Sequence, residues 1–367
     1  MENRKFGNTG RRVSPLGFGM MRLKTTEDNK IDQDWVNQVL RYAIDRGLNY
    51  VDTAYIYQDS ERATGIALSD GYREKVTLAT KLPVANMTCE EDFDKLLNEQ
   101  LERLQTDSID CYLLHALTQE RWDNYVVKYN VLAHMEKAKA EGKIRHIGFS
   151  FHDTLDVFKM ILDAYDGWEF CQIQLNYLDV NYQAGIAGLE LAASRGLGVV
   201  IMEPLRGGQL ANFPQEVAAM LPKSPVESGL DFLWDRPEIS VVLSGMSTTE
   251  QVEQNLDYAD RAGIGMLSDE ERKTILAAGD AMRSYLSVPC TGCNYCNVCP
   301  KEIAIAEIFR ISNQQQLDGN DAKASELYRA LAGHNAEECI GCRVCTEQCP
   351  QKIDIPTQLE KIGKRFG

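Results

Sequence analysis

Short apolar runs alternate with longer stretches of helical spacing through most of the chain. The runs fall at 16–19, 50–52, 76–81, 109–114, 146–150, 171–175, 198–202 and 239–243. Between the first two, Trp35, Val39, Leu40, Ala43 and Ile44 recur every three or four residues, as one face of a helix requires. Eight strand candidates, each followed by a helix candidate, predict an α/β fold of the (β/α)8 TIM-barrel type, and about 285 residues suffice for one. A doubly wound sheet also alternates, but no Gly-x-Gly-x-x-Gly follows a first strand. Ahead of the alternation, Arg4, Lys5 and Phe6 return through Asn8, Thr9 and Gly10 to Arg12, Val13 and Ser14, a hairpin suited to closing the barrel bottom. The last helix of this body opens on the capping box Ser268-Asp269-Glu270-Glu271 and runs to about Tyr285.

Composition then divides the chain. Of 367 residues, 44% are hydrophobic and 25% charged, ordinary for a soluble globular protein with room for a barrel and an appendage. Domains are therefore expected at 1–285 and 286–367. The net charge of -15 leaves no basic stripe to neutralise phosphates, which argues against a nucleic-acid partner. Nearly all of it lies before Leu286, because ten acidic residues from there onward face nine basic ones. The start Met1-Glu2-Asn3-Arg4-Lys5 has no apolar segment behind it, and no run of about 18 apolar residues occurs. A cytoplasmic location without membrane contact is the expectation, and there eleven cysteines point to metal or redox chemistry rather than disulfides.

In a TIM barrel the reacting groups stand at the carboxyl ends of several strands. Asp52 and Tyr57 follow the second strand, Lys81 ends the third and His115 ends the fourth. A lysine beside an aspartate keeps its charge, and an ammonium near a phenol favours the phenolate, so Tyr57 could act as a general acid nearer neutral pH. His115 could donate a hydrogen bond to a substrate oxygen and hold a carbonyl in line. Trp122, Tyr125 and Tyr129 could wall a pocket for an aromatic or sugar-like carbonyl compound, or simply pack their own loop. His134, His146, His152 and His334 suit surface or helix-end roles, and Cys89, Cys111 and Cys171 suit buried packing.

These residues resemble the aldo-keto reductases, which reduce carbonyls with a nicotinamide cofactor in a TIM barrel. The resemblance runs from Val13-Ser14-Pro15-Leu16-Gly17-Phe18-Gly19 through Gly47-Leu48-Asn49-Tyr50-Val51-Asp52-Thr53-Ala54 to Asn255. It implies that Tyr57 is the acid/base, completed by Asp52, Lys81 and His115, with Glu61 at a further patterned position. It also implies cofactor contacts: Gly19 and Met20 after the first strand, and Ser150, Gln172 and Asn176 around the nicotinamide carboxamide. Met202 falls where many members stack an aromatic ring on the nicotinamide. Pro204, Leu205 and Gly207 belong to a loop over the pyrophosphate, and Gly245, Ser247, Gln251 and Asn255 to the adenosine end. Gly245 and Gln251 replace basic residues that many members use to grip a 2′-phosphate, so the cofactor is NADP or NAD.

The tail carries a repeat. Cys290, Cys293, Cys296 and Cys299 precede Pro300, and Cys339, Cys342, Cys345 and Cys349 precede Pro350. The second set has the C-x₂-C-x₂-C-x₃-C-P spacing of bacterial ferredoxins, and the first is one residue shorter. Resemblance to a two-cluster ferredoxin implies a small α+β iron-sulfur domain with two 4Fe-4S clusters and swapped ligation: Cys290, Cys293, Cys296 and Cys349 on one, Cys339, Cys342, Cys345 and Cys299 on the other. Zinc is the competing reading of paired C-x₂-C, but it does not call for the third cysteine and the Cys-Pro ending. Helices are expected at 303–312, 321–332 and 355–365.

A nicotinamide moves two electrons as hydride, whereas a 4Fe-4S cluster passes one at a time. The leading expectation is an aldo-keto-reductase-like oxidoreductase acting on a small carbonyl or alcohol substrate, its clusters either stabilising the protein or connecting it to a redox protein partner. A ferredoxin-linked reductase with the clusters as obligatory electron path is the first alternative, although no flavin motif supports it. A redox-sensing regulatory protein on a reductase barrel is the second.

Overall fold

The computed structural model describes residues Met1 to Gly367. They form two compact units, Met1–Pro204 with Leu230–Leu267, and Leu205–Gly229 with Ser268–Gly367.

The first unit is the barrel. A hairpin of β1 (Arg4–Lys5) and β2 (Arg12–Val13) precedes β3 (Leu16–Gly19), β4 (Tyr50–Asp52), β5 (Thr77–Leu82), β6 (Ile109–Leu117), β7 (Ile144–Phe151), β8 (Phe170–Gln174), β9 (Gly198–Met202) and β10 (Val241–Ser244). Strands β3 to β10 close in sequence order, β10 pairing with both β9 and β3, and the pairs are parallel. Observed strands match the apolar runs to within a few residues. The helices follow their local signals too. Asp32 caps Gln33–Asp45 by accepting the Trp35 N–H, and Trp35, Val36, Val39, Leu40, Ala43 and Ile44 form its buried face.

Tyr50, Ala79, Cys111, Leu113, Phe170, Val200, Val241 and Leu243 fill the barrel interior together with Phe6 and Val13. Phe6, at the hairpin turn, packs its ring 5.8 Å from that of Tyr50 and 5.4 Å from that of Phe170. Side chains of this size contribute about 1.5–3 kcal/mol each when buried. The same register sets the site. Alternate residues of a strand share a face, so the residue two beyond each interior one also points inward. Asp52 follows Tyr50 in this way, Lys81 follows Ala79, His115 follows Leu113, Gln172 follows Phe170 and Met202 follows Val200. Gly148 is required where β7 meets β8: a Cβ there would lie 2.6 Å from the Phe170 carbonyl oxygen.

In the second unit, the capping box at Ser268 and Glu271 opens the helix Asp269–Arg283, as expected. Further helices run over Ile305–Asp318, Asp321–Arg329 and Ile355–Phe366. The α+β pattern expected of the tail reduces to helices and cysteine-bearing turns, since no strand lies beyond Ser244. Their apolar faces, including Ile305, Phe309, Tyr328, Ile355, Leu359 and Phe366, share one core with Cys296, Cys345 and Cys349. The cysteine repeat is a backbone repeat as well. Gly292 and Gly341 have φ of 65° and 70°, Asn294 and Arg343 have 63° and 66°, and Glu302 and Lys352 both have 51°. The missing residue of the first motif thus leaves its Cys-Pro turn intact: Glu302 N–H reaches Cys299 O, and Lys352 N–H reaches Cys349 O, each at 3.0 Å. The boundary drawn at 285 separates compositions; compactness instead groups Asp269–Arg283 and Leu205–Gly229 with the cysteine-rich tail.

Candidate active site and cysteine-lined cavity

Asp52, Lys81 and His115 are buried at adjacent strand ends. Asp52 stands opposite Ala79, two residues before Lys81, and Lys81 stands opposite Leu113, two residues before His115. Lys81 Nζ donates to Asp52 Oδ1 at 2.6 Å and to Thr53 O at 2.8 Å. Burial lowers the Lys81 pKa and raises that of Asp52, while their mutual attraction opposes both shifts. Tyr57, half-buried, joins them from the turn after β4: Lys81 Nζ lies 5.2 Å from its ring centroid, and the His115 ring meets it edge-on at 6.0 Å. Burial, reinforced by the charges of Lys81, Arg121 and His152, drives the His115 pKa well below the usual imidazole value. A neutral imidazole can donate a hydrogen bond without carrying charge.

The surroundings hold these groups in place. The Tyr57 turn is pinned through Ser60, whose Oγ donates to Met20 O and shares a 2.8 Å hydrogen bond with Thr53 Oγ1. After His115 the β6–β7 register shifts, and Ala116 adopts φ 54°. Such a bulge re-aims a strand end, and a non-glycine residue in this region costs roughly 1–2 kcal/mol. Ser150 Oγ accepts the Ala116 N–H at 2.7 Å and so fixes it. Beneath Lys81, the buried Glu61 carboxylate accepts from Thr80 Oγ1 and Gln100 Nε2, each at 2.6 Å, and from Arg103 at 3.3 Å. Gln100 also donates to the Lys81 carbonyl and accepts from the Tyr112 hydroxyl. The expectations from sequence omitted Gln100 and the Ala116 bulge.

Among the expected cofactor contacts, Gln172 has the clearest opening. Its Nε2 faces the Met202 sulfur at 3.7 Å, while its buried Oε1 has no protein partner. A carboxamide N–H would satisfy that oxygen, so a nicotinamide fits the donor set. Asn176 differs: its side chain accepts from the Leu178 and Asp179 N–H groups and donates to Glu203 O, so it builds its own turn. Gly19 lies beside the Ser244 carbonyl, Met20 is buried, and Pro204 is buried after β9. In the loop after β10, Gln251 Oε1 accepts the Ser247 N–H, Ser247 Oγ donates to Arg22 O, and Asn255 donates to Ser244 Oγ. The Arg22 side chain passes 3.3 Å from the point where a Gly245 Cβ would stand, bringing a cation to a loop whose own sequence supplies none. Its place far upstream hid it from a local reading. Leu205 and Gly207 belong to the second unit.

Trp122 packs on Trp168 inside a wide, π-type turn over Trp122–Val127, so it is a packing residue. His146 pairs with Glu169, His134 with Glu90, and His334 with the Glu302 carbonyl, while His152 contributes to the field at His115. Cys111 and Cys171 are buried, but Cys89 is exposed, at the turn that Asp92 caps.

In the second unit, Cys290, Cys293, Cys296 and Cys349 line one cavity, with Thr291, Phe309, Ile353 and Ile355 among its walls. Gly292 N–H points at Cys290 Sγ, 3.3 Å away. Burial pushes the Cys296 thiol up to about 12, with added repulsion from Cys293, Cys290 and Cys349. Cys345 feels Cys299 instead, so the last cysteine of each motif approaches the other motif's set. No three such side chains converge as a single ion requires. Four thiols around a cage fit a polynuclear cluster better than mononuclear zinc.

The aldo/keto reductase family pattern matches residues 15–280 and a 4Fe-4S dicluster domain matches 289–353, so the chain belongs to the aldo/keto reductase family and carries an iron-sulfur domain. It is 30% identical to L-galactose dehydrogenase of Arabidopsis thaliana over 291 residues, 70% of this chain and 87% of that protein. It is 30% identical to 6-dehydroglucose reductase of Novosphingobium aromaticivorans over 224 residues, 57% of this chain and 70% of that protein. The holo form of an aldo-keto reductase from Bacillus halodurans superposes with a TM-score of 0.64 at 27% identity, covering 76% of this chain and 96% of that one. No helix is long and apolar enough to cross a membrane.

Proposed function

We propose that the protein interconverts a sugar-like carbonyl compound and its alcohol by hydride transfer with NAD(P)H, and that Tyr57 is the general acid/base. The observation that carries this reading is the assembly of Tyr57 and His115 around the buried Asp52–Lys81 pair. NAD(P)H, when bound, supplies the hydride to the carbonyl carbon. Tyr57 delivers the proton to the oxygen and regains one from solvent. His115, neutral, donates a hydrogen bond to the same oxygen as charge develops there, and Lys81, held charged by Asp52, favours the phenolate left on Tyr57. Gln172 would hold the nicotinamide carboxamide. The names of two relatives, which concern galactose and a dehydroglucose, support a polyhydroxylated substrate.

In the tail, Cys290, Cys293, Cys296 and Cys349 would hold one 4Fe-4S cluster, and Cys339, Cys342, Cys345 and Cys299 a second. Turnover of sugar aldehydes with NADH or NADPH tests the reading. Tyr57→Phe should remove turnover while leaving nucleotide binding intact; turnover at the wild-type rate would overturn the role given to Tyr57.

A further inference from the structure

Along the helix Asp92–Arg103 the buried positions are Phe93, Leu96, Leu97 and Gln100, so an amide takes the last place of an otherwise apolar stripe. Gln100 is fully buried, and a buried amide is tolerated only where its hydrogen bonds are made. They go to Glu61 and to the strands around Lys81. Nε2 donates to Glu61 Oε1 at 2.6 Å, to the Lys81 carbonyl at 3.1 Å and to Thr80 Oγ1 at 3.2 Å, while Oε1 accepts from the Tyr112 hydroxyl at 2.7 Å. Three residues on, Arg103 donates to the other Glu61 oxygen at 3.3 Å and to the Tyr55 carbonyl at 3.4 Å, two residues before Tyr57. Its guanidinium also lies 4.0 Å from the centre of the Tyr55 ring. One helix therefore grips both the strand that carries Lys81 and the turn that carries Tyr57. Glu61 links the two grips. Burial pushes the Glu61 pKa up, with the hydrogen bonds from Thr80, Gln100 and Arg103 working against that, and its charge joins that of Asp52 in opposing the loss of charge that burial imposes on Lys81.

We infer that Gln100 is a positioning residue for Tyr57: it holds the Lys81 ammonium close to the phenol and the Glu61 carboxylate close to Lys81. The inference rests on the reading above that Tyr57 is the general acid/base. An ammonium favours a phenolate only while it is both near and charged. Nearness depends on the Lys81 backbone, whose carbonyl Gln100 holds. Charge depends on the two carboxylates that act on Lys81, Asp52 from β4 and Glu61 from the helix Ser60–Ala67. The other titratable groups about the pair are His115 on β6, which burial keeps neutral and on which Arg121 and His152 also act, and Arg103 and Tyr112, which face Glu61. Without the Gln100 amide, Glu61 and the Lys81 carbonyl each lose a donor. Lys81 then shifts or weakens as a cation, and Tyr57 keeps its proton to higher pH.

The experiment uses full-length, cluster-loaded protein under anaerobic conditions and needs no substrate. Phenolate absorbance is titrated against pH in the wild type and in Gln100→Met, which keeps the side-chain length but removes the amide. From each curve is subtracted that of the same protein carrying Tyr57→Phe, which cancels the clusters and every other tyrosine. In Gln100→Met the Tyr57 transition should move to higher pH by about one pH unit. A merely structural Gln100 would lower Tm and leave the transition where the wild type has it. Should Gln100→Met fail to fold, Gln100→Met combined with Tyr112→Phe, which also removes the hydroxyl left without its acceptor, is titrated in its place. A transition that stays put in a folded variant, or failure of both variants to fold, overturns the inference and leaves the role of Tyr57 standing. Turnover of sugar aldehydes by Tyr57→Phe at the wild-type rate overturns the reading beneath it, whatever the titration shows.

Discussion

The barrel and the cysteine-rich tail reach their sites by opposite routes. In the barrel, strand register alone carries Asp52, Lys81 and His115 to neighbouring positions, and the groups that need partners find them in protein: Lys81 in Asp52 and Thr53, Glu61 in Thr80 and Gln100. In the tail, four cysteines line a cavity, and burial, with its cysteine neighbours, pushes the Cys296 thiol toward the neutral form. The first site is preorganised by the fold; the second is a cage that inorganic contents complete. Preorganised groups lose little on binding, whereas a cage draws part of its folding free energy from what fills it.

The largest expected effect breaks the comparison outright. Chelating iron should unfold the tail and expose it to limited proteolysis while a protected fragment containing the barrel strands persists; loss of both together would show that the barrel is not independently held. Next, Tyr57→Phe should lower kcat about 10²–10⁴-fold with little change in nucleotide affinity, read by steady-state kinetics beside a binding titration. Lys81→Met leaves the Asp52 carboxylate buried without its partner and should cost about 3–5 kcal/mol of stability, measured by denaturant unfolding.

The pH dependence sharpens the same point. Because His115 titrates well below the usual imidazole value, the rate of carbonyl reduction should show no loss centred on pH ~6.5; an acid limb there, removed by His115→Gln, would contradict the buried neutral imidazole. The smallest effect concerns Glu169. Burial raises its pKa, but hydrogen bonds from His146, Lys139 and the Ile147 N–H outweigh this and hold it at about 2, against an ordinary 4.5. A depressed folded-state pKa gives stability present above the unfolded value and lost as pH falls toward the folded one. Acid unfolding between those values should therefore be less steep in Glu169→Gln.

Much of the barrel is legible in the chain because a strand buried on both faces is largely apolar, so a charged or titratable side chain near its carboxyl end is conspicuous. Asp52, Lys81 and His115 stand out for that reason. Ala116 gives no such sign: a positive φ imposed on alanine by a bulge has no compositional signature. Gln100 reads as an ordinary polar position on the helix Asp92–Arg103 until Glu61 and Tyr112 are seen to meet it. Arg22 is far in sequence from the loop it touches. In the tail the cysteine spacing exposes the repeat, since a cage needs its corners at fixed intervals. The grouping of Leu205–Gly229 with that tail rests on tertiary contacts that no local pattern encodes.

The most direct test is anaerobic reduction of a sugar aldehyde by cluster-loaded protein, using NADH or NADPH deuterated at the transferable ring position. Direct hydride transfer predicts a product carrying one deuterium on the former carbonyl carbon, and Tyr57→Phe should form almost none of it. Product formed at the wild-type rate without deuterium would contradict the account, because electrons and protons would then have reached the carbonyl separately.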